Sequence, residues 1–166
     1  MPEGGRVVVT NTTPLIAIAV ATGSLDILRS LYQRVLVPAA VADEILAAGD
    51  AAPGARAFRD ATWLERKPDV VVSSYLSNSL DRGEAAVIQT ALDEGVLRVC
   101  IDEAVGRRVA RLNGLIVTGS VGILVKARQQ GYAVDLAAAV RSMREHGIWL
   151  SDEVVRFALE HDAAEP

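Results

Sequence analysis

Arg6-Val7-Val8-Val9-Thr10-Asn11-Thr12-Thr13-Pro14-Leu15-Ile16 decides how the rest of the chain is read. A run of β-branched residues closed by a polar cluster suits a buried strand entering a turn, and Pro14 then opens a helix. Leu15, Ile16 and Ile18 form its apolar positions. After Gly23, Leu25, Ile27, Leu28 and Leu31 predict a second short helix, with Ser24 as its N-cap. Val35–Val37 is a second strand, and Pro38 falls in the first turn of a helix running to about Ala48.

The alternation continues. Gly49 to Gly54, rich in small residues and Pro53, predicts a flexible loop, and Val70–Val72 a further short strand. A strongly periodic helix spans Asp81 to Glu94 and is stopped by Gly95. Leu97–Ile101 is a strand, Glu103–Asn113 a helix with Gly114 beyond it, and Ile116 and Val117 form the last strand. Helices at Ser120–Gln130, Leu136–His146 and Asp152–His161 follow, with Asp135 and Ser151 as N-caps. Strands alternating with helices imply an α/β fold of three layers, α/β/α, around a central parallel sheet, with extra C-terminal helices. The expected organisation is one domain over 1–161 and a disordered tail over 162–166.

Composition narrows the chemistry. The 166 residues carry 17 Lys and Arg against 21 Asp and Glu, a net charge of -4. A chain of this size buries roughly 70% of its extended surface, and a hydrophobic content of 51% can fill that core. The lone Cys100 excludes an internal disulfide and a thiolate zinc cage. His146 and His161 are too few and too far apart for a histidine-rich centre, so a metal here would need oxygen ligands and be of the Mg or Mn kind. The longest apolar stretch, Pro14 to Ala21, falls far short of the roughly 20 residues that span a bilayer. A soluble, cytoplasmic protein in a reducing compartment is expected, with no membrane partner.

In parallel sheets of this type ligands bind beyond the carboxyl ends of the strands. Asn11 and Thr12 follow the first strand, Asp102 and Glu103 follow Ile101, and Thr118 and Gly119 follow the last. Asp102 suits a cation equally with an N-cap for the helix from Glu103. Glu84 shares the inward helix face of Ile88 and Ala91, where an unpaired acid is costly. Asp81-Arg82-Gly83-Glu84 also has capping-box form, which would fold Glu84 back onto the Asp81 N–H. Glu44 sits one turn into the helix after the second strand, near the same sheet edge, with Asp43 as the more exposed of the pair. Asn11 and Thr12 also read as simple turn residues. Thr118-Gly119-Ser120-Val121-Gly122 lacks the lysine of a phosphate-binding loop, and no three-glycine dinucleotide fingerprint follows the first strand. Arg107, Arg108 and Arg111 give one helix a basic surface suited to a phosphate backbone, with pairing of Arg107 to Glu103 as the solvated alternative.

The order of these segments, Val8-Val-Thr-Asn-Thr-Thr-Pro-Leu-Ile16, Leu36-Val-Pro-Ala-Ala-Val-Ala-Asp-Glu-Ile45, Leu80-Asp-Arg-Gly-Glu-Ala-Ala-Val-Ile88, Cys100-Ile-Asp-Glu103 and Val117-Thr-Gly-Ser-Val-Gly122, resembles the PIN-domain family. The likeness runs from Val7 to about Leu159 and is nearest to an uncharacterised PIN-like branch. It implies a metal-dependent ribonuclease, a hydrolase of RNA phosphodiesters, of the kind found as toxins in bacterial toxin-antitoxin pairs. It also implies Mg or Mn as cofactor, RNA as substrate, an antitoxin protein as partner and a homodimer.

Carried over residue by residue, Asn11 occupies the usual first aspartate position, Glu44 the second acid, Glu84 the third and Asp102 the fourth. Glu44, Glu84 and Asp102 would be catalytic, with Asn11 completing the metal ligands, and Thr12, Thr118 and Arg107 would meet the substrate. Paired Mg or Mn ions about 3.5 to 4 Å apart activate water and stabilise the leaving oxygen. Asn11 is the departure: its amide oxygen can bind a cation but brings no charge. Two unit charges about 4 Å apart interact by about 4 kcal/mol at an effective dielectric near 20, and about 1.4 kcal/mol already changes affinity tenfold. The alternative is therefore an impaired PIN-like module that binds nucleic acid or protein without turnover. A third reading makes Asp81, Glu84 and Asp102 helix caps only.

Overall fold

The computed structural model describes residues 6–163. Within them five strands form one all-parallel sheet in the order β3-β2-β1-β4-β5, accompanied by ten helices. The strands are β1 (Val7–Thr10), β2 (Arg34–Val37), β3 (Glu65–Arg66), β4 (Arg98–Cys100) and β5 (Ile116–Thr118). The first helices are α1 (Thr12–Thr22), α2 (Asp26–Leu31), α3 (Ala39–Ala47), α4 (Ala55–Asp60) and α5 (Ser74–Ser79). Then come α6 (Arg82–Glu94), α7 (Ala104–Leu112), α8 (Ser120–Gln129), α9 (Leu136–Glu145) and α10 (Asp152–Ala163). No helix among the described residues is long and apolar enough to cross a membrane.

Every residue of β1 is buried because the strand is paired on both sides and covered on both faces. Right-handed crossovers carry the chain from β1 out to β3 on one side and back over β1 to β4 and β5 on the other, which assigns the helices to two layers. Accordingly α6 packs on β1 and β4, with α5 and α7 beside it, while α1 meets α8 and α9, and α10 closes over α8 and α9. Helix α3 touches both α1 and α6, so it stands at the seam between layers. The order reverses at β1, whose neighbours β2 and β4 lead in opposite directions; this switch point locates the site crevice.

One expectation is corrected. Val70–Val72 is no strand: the free edge of β2 is taken by Glu65–Arg66, paired to Leu36 and Val37 and pinned by two hydrogen bonds from Arg34 to Glu65, at 2.8 and 2.7 Å. After Lys67 N–H reaches the Val37 carbonyl, Pro68 turns the chain away and leaves Val71 exposed. Gly49–Gly54 is a succession of turns leading into α4, fastened by Ala52 N–H to Gly49 O and by an Asp50–Arg59 ion pair. Gly54 has a φ of 83°, and a Cβ there would come within 3.1 Å of the Ile16 backbone.

At the end of the chain, α10 runs to Ala163, past the expected boundary at 161. Asp162 accepts from Arg128 at 2.7 Å and from the first amide of α9, Leu136 N–H, at 2.8 Å, so one carboxylate fastens α8, α9 and α10 together. Residues 164–166 of the expected tail lie outside the described residues.

Candidate active site at the carboxyl edge of the sheet

Asn11 stands at the end of β1, its N–H bonded to the Cys100 carbonyl of β4 at 3.0 Å, and precedes α1 as N-cap without a side-chain capping bond. Its side chain is thereby left for other contacts, and it is buried. Nδ2 donates to Glu103 Oε2 at 3.4 Å, while Oδ1 lies beside Gly83 on α6. Gly83 is the hub. A Cβ at this position would fall 3.1 Å from Asn11 Oδ1, 3.3 Å from Glu44 Oε2 and 3.6 Å from Asp81 Oδ1. Three oxygens from β1, α3 and the α6 cap thus face one point that only a glycine leaves open. Thr12 Oγ1 donates to the same Glu44 Oε2 at 2.8 Å and fixes its rotamer.

Glu84 points inward, as its place on the helix face predicts. Only half of the expected capping box carries the turn: Asp81 Oδ1 accepts the Glu84 N–H at 2.8 Å. The Glu84 carboxylate instead packs on α7, where a Cβ on Gly106 would meet Oε2 at 3.1 Å. Burial, then the neighbouring Asp81 and Glu103 charges and Glu44, push its carboxyl up to about 7. No ion pair reaches Glu44, Asp81, Glu84 or Glu103 among the described residues. The nearest cation in sequence, Arg82, bridges Asp43 and Asp69 at 3.4 Å. A cleft of about 380 Å³ opens alongside, lined by Ala40, Asp43, Glu44, Ala47, Asp81, Arg82 and Gly83. A larger one of about 590 Å³ surrounds the Arg128–Asp162 pair and contains none of these acids.

Asp102 takes a different direction. Its Oδ1 accepts the Ser120 N–H at 2.8 Å, so it caps α8 across the sheet and not the helix that follows it in sequence. Its Oδ2 is buried without a hydrogen-bond partner, as is the Ser120 hydroxyl. Burial raises the Asp102 carboxyl, opposed by the Ser120 N–H bond. Thr118 Oγ1 donates to Gly119 O at 3.4 Å and lies over Gly122 in the first turn of α8. Arg107 Nη1 donates to the Ile101 carbonyl at 2.9 Å, on the same side of Gly119 as Asp102.

The structure therefore gathers Asn11, Thr12 and Glu44 at Gly83, sets the Glu84 carboxylate beside them against α7, and turns Asp102, Thr118 and Arg107 toward the start of α8. Two acids outside the four ligand positions implied by the resemblance also stand at this edge. Asp81 enters through its cap, and Glu103 is drawn in by Thr13 Oγ1 at 2.9 Å and by Asn11. The dipeptide Asp102-Glu103 at a strand end was the available signal for the second.

These residues test whether a divalent cation suits the edge. The donor set is all oxygen, the acids are unneutralised, a Cβ would fill the cradle at Gly83, and one buried Asp102 oxygen is unused. This chemistry fits Mg or Mn. Among the described residues no three His, Cys, Asp or Glu side chains are gathered closely enough to hold an ion by themselves; the trio at Gly83 includes the amide of Asn11.

A parallel sheet in the order 3-2-1-4-5 between two helical layers, with an acidic, oxygen-lined crevice at its switch point, defines a three-layer α/β/α fold. Residues 7–163 match the family described as PIN domain, and the chain belongs to that family. No curated protein and no solved structure matches it.

Proposed function

We propose that the protein is a metal-dependent ribonuclease that hydrolyses RNA phosphodiesters with Mg or Mn at the Asn11, Glu44 and Glu84 edge. The observation that carries this reading is the meeting of Asn11 Oδ1 with the Glu44 and Asp81 carboxylates at Gly83, none of them in an ion pair among the described residues, next to the buried Glu84 whose charge those acids oppose. When bound, the metal supplies an activated water and charge neutralisation at the phosphate. Glu44 and Glu84 would hold it, with Asn11 Oδ1 as neutral ligand and the free Asp102 Oδ2 as a further donor. Thr12 orients Glu44, and Thr13 and Asn11 hold Glu103 beside it. Thr118 and Arg107 flank the α8 end of the crevice, where a substrate phosphate would lie.

The test is cleavage of single-stranded RNA with Mn, with and without chelator, by the wild type and by Glu84→Ala and Asp102→Asn. Metal-dependent cleavage lost in Glu84→Ala supports the assignment; cleavage equal to wild type in both variants rejects it. A toxin role with an antitoxin partner, homodimerisation and a cytoplasmic setting accompany this reading as expectations of the family.

A second reading, a binding module without turnover, is favoured by two observations: the charge missing at Asn11 and the commitment of Asp102 Oδ1 to capping α8. Asn11→Asp separates the two. A gain in Mn affinity of tenfold or more with new cleavage identifies a disabled site, and wild-type turnover that Asn11→Asp leaves unchanged identifies a working one.

A further inference from the structure

Helix α7 buries Gly106, Val109 and Ala110, turns Arg108 and Arg111 to solvent and keeps Arg107 half-buried at its start. At 3.6 residues per turn these three share an arc of about 100°, and Arg107 and Arg111 stand about 6 Å apart along the axis. Val105 and Leu112 lie together on the Arg108 side of the stripe, 51% and 73% exposed.

The pairing that would make this a neutral solvated face is not formed. Glu103, one turn before Arg107, is held by Thr13 and Asn11 at the acidic crevice. Arg107 reaches the Ile101 carbonyl, and Arg108 and Arg111 make no ion pair among the described residues. By contrast Arg34, Arg59, Arg82 and Arg128 are paired with this chain's own acids. The stripe also starts at the site: Gly106 forms the wall against Glu84, and Arg107 lies beside Gly119 and the Asp102 cap.

We propose that α7 is the track on which a single-stranded RNA leaves the acidic crevice, Arg107 meeting the strand at the site and Arg108 and Arg111 pairing with phosphates beyond the scissile one. The choice of RNA rests on the ribonuclease reading; the choice of a phosphate backbone rests on the geometry, since the guanidinium fork matches phosphate oxygens in pairs.

The experiment is fluorescence anisotropy of a labelled single-stranded RNA of about 20 nucleotides, titrated with the full chain in chelator at about 50 to 200 mM salt. Each phosphate contact on a single strand contributes about 0.7 to the slope of log affinity against log salt. The R108A/R111A variant should therefore show a slope shallower by about 1.4 and about tenfold weaker binding at the lowest salt. R29A/R56A, which removes two exposed arginines from α2 and α4, should match wild type. Equal slopes for wild type and R108A/R111A, an equal fall in R29A/R56A, or no RNA binding by wild type overturns the proposal. Chelator makes the result independent of turnover. A shallower slope beside absent metal-dependent cleavage retains the track and removes the hydrolase; cleavage with an unchanged slope does the reverse.

Discussion

Glu84→Gln should make this protein more stable while removing its proposed activity. Glu84 is 7% exposed and has no cationic partner, and its carboxyl is pushed from 4.5 up to about 7, first by burial and then by neighbouring acids. An acid harder to ionise in the folded chain than in the unfolded one draws stability away as pH rises. The contribution is intact below about 4.5, declines through the interval to about 7 and stays lost above it. At about 1.4 kcal/mol per pH unit the full loss is about 3 kcal/mol. Asp81, Glu44 and Glu103 are exposed, so salt screens their part of it, and about 2 kcal/mol remains. Glutamine keeps the shape and removes the charge. Thermal unfolding followed by circular dichroism in chelator should show Glu84→Gln melting roughly 4 to 8 °C above wild type at pH 8, with the two curves converging toward pH 4.5. Adding Mn should raise the wild-type Tm and leave the variant unmoved. A variant no more stable than wild type at pH 8 would refute the claim that Glu84 is a strained, unpaired carboxylate.

Gly83→Ala places a methyl at the meeting point of Asn11 Oδ1 and Glu44 Oε2, so Mn binding measured by calorimetry should weaken tenfold or more, with folding stability within about 1 kcal/mol of wild type. Asp102→Ala removes the acceptor for the Ser120 N–H and should cost about 1 to 2 kcal/mol in urea unfolding, whereas Asp102→Asn keeps an acceptor and should cost under about 0.5. Asp162→Ala strands Arg128 and the Leu136 N–H; with both side chains about one-quarter exposed, a loss of about 2 kcal/mol is expected, together with faster amide exchange in α10.

Local signals carried much of this architecture, and long-range ones did not. Val7–Thr10, Val35–Val37 and Val99–Cys100 are buried on both faces, so a plain run of apolar residues sufficed to read them as strands. Glu65–Arg66 has no such signature, because an edge strand of two residues is held by pairing to β2 and by Arg34, while the apolar Val70–Val72 runs outside the ladder. Helices α4 and α5 bury only Ala55 and Phe58, and Leu76, too few apolar positions to show the period that marked α2. In the site, the inward direction of Glu84 was legible from its face on α6. The direction of Asp102 was not: its partner, the Ser120 amide, is eighteen positions away and is brought near only by the β4–β5 pairing. The strand-end position of Glu103 was legible, but its partners were not, since Thr13 and Asn11 reach it across the sheet.

Oxygens distant in sequence should share a divalent ion at the switch point of the sheet. Anomalous diffraction from crystals grown with Mn tests it most directly. A Mn peak within coordination distance of Asn11 Oδ1, Glu44 and Glu84 is expected; diffraction that places no Mn between those side chains would refute the shared site.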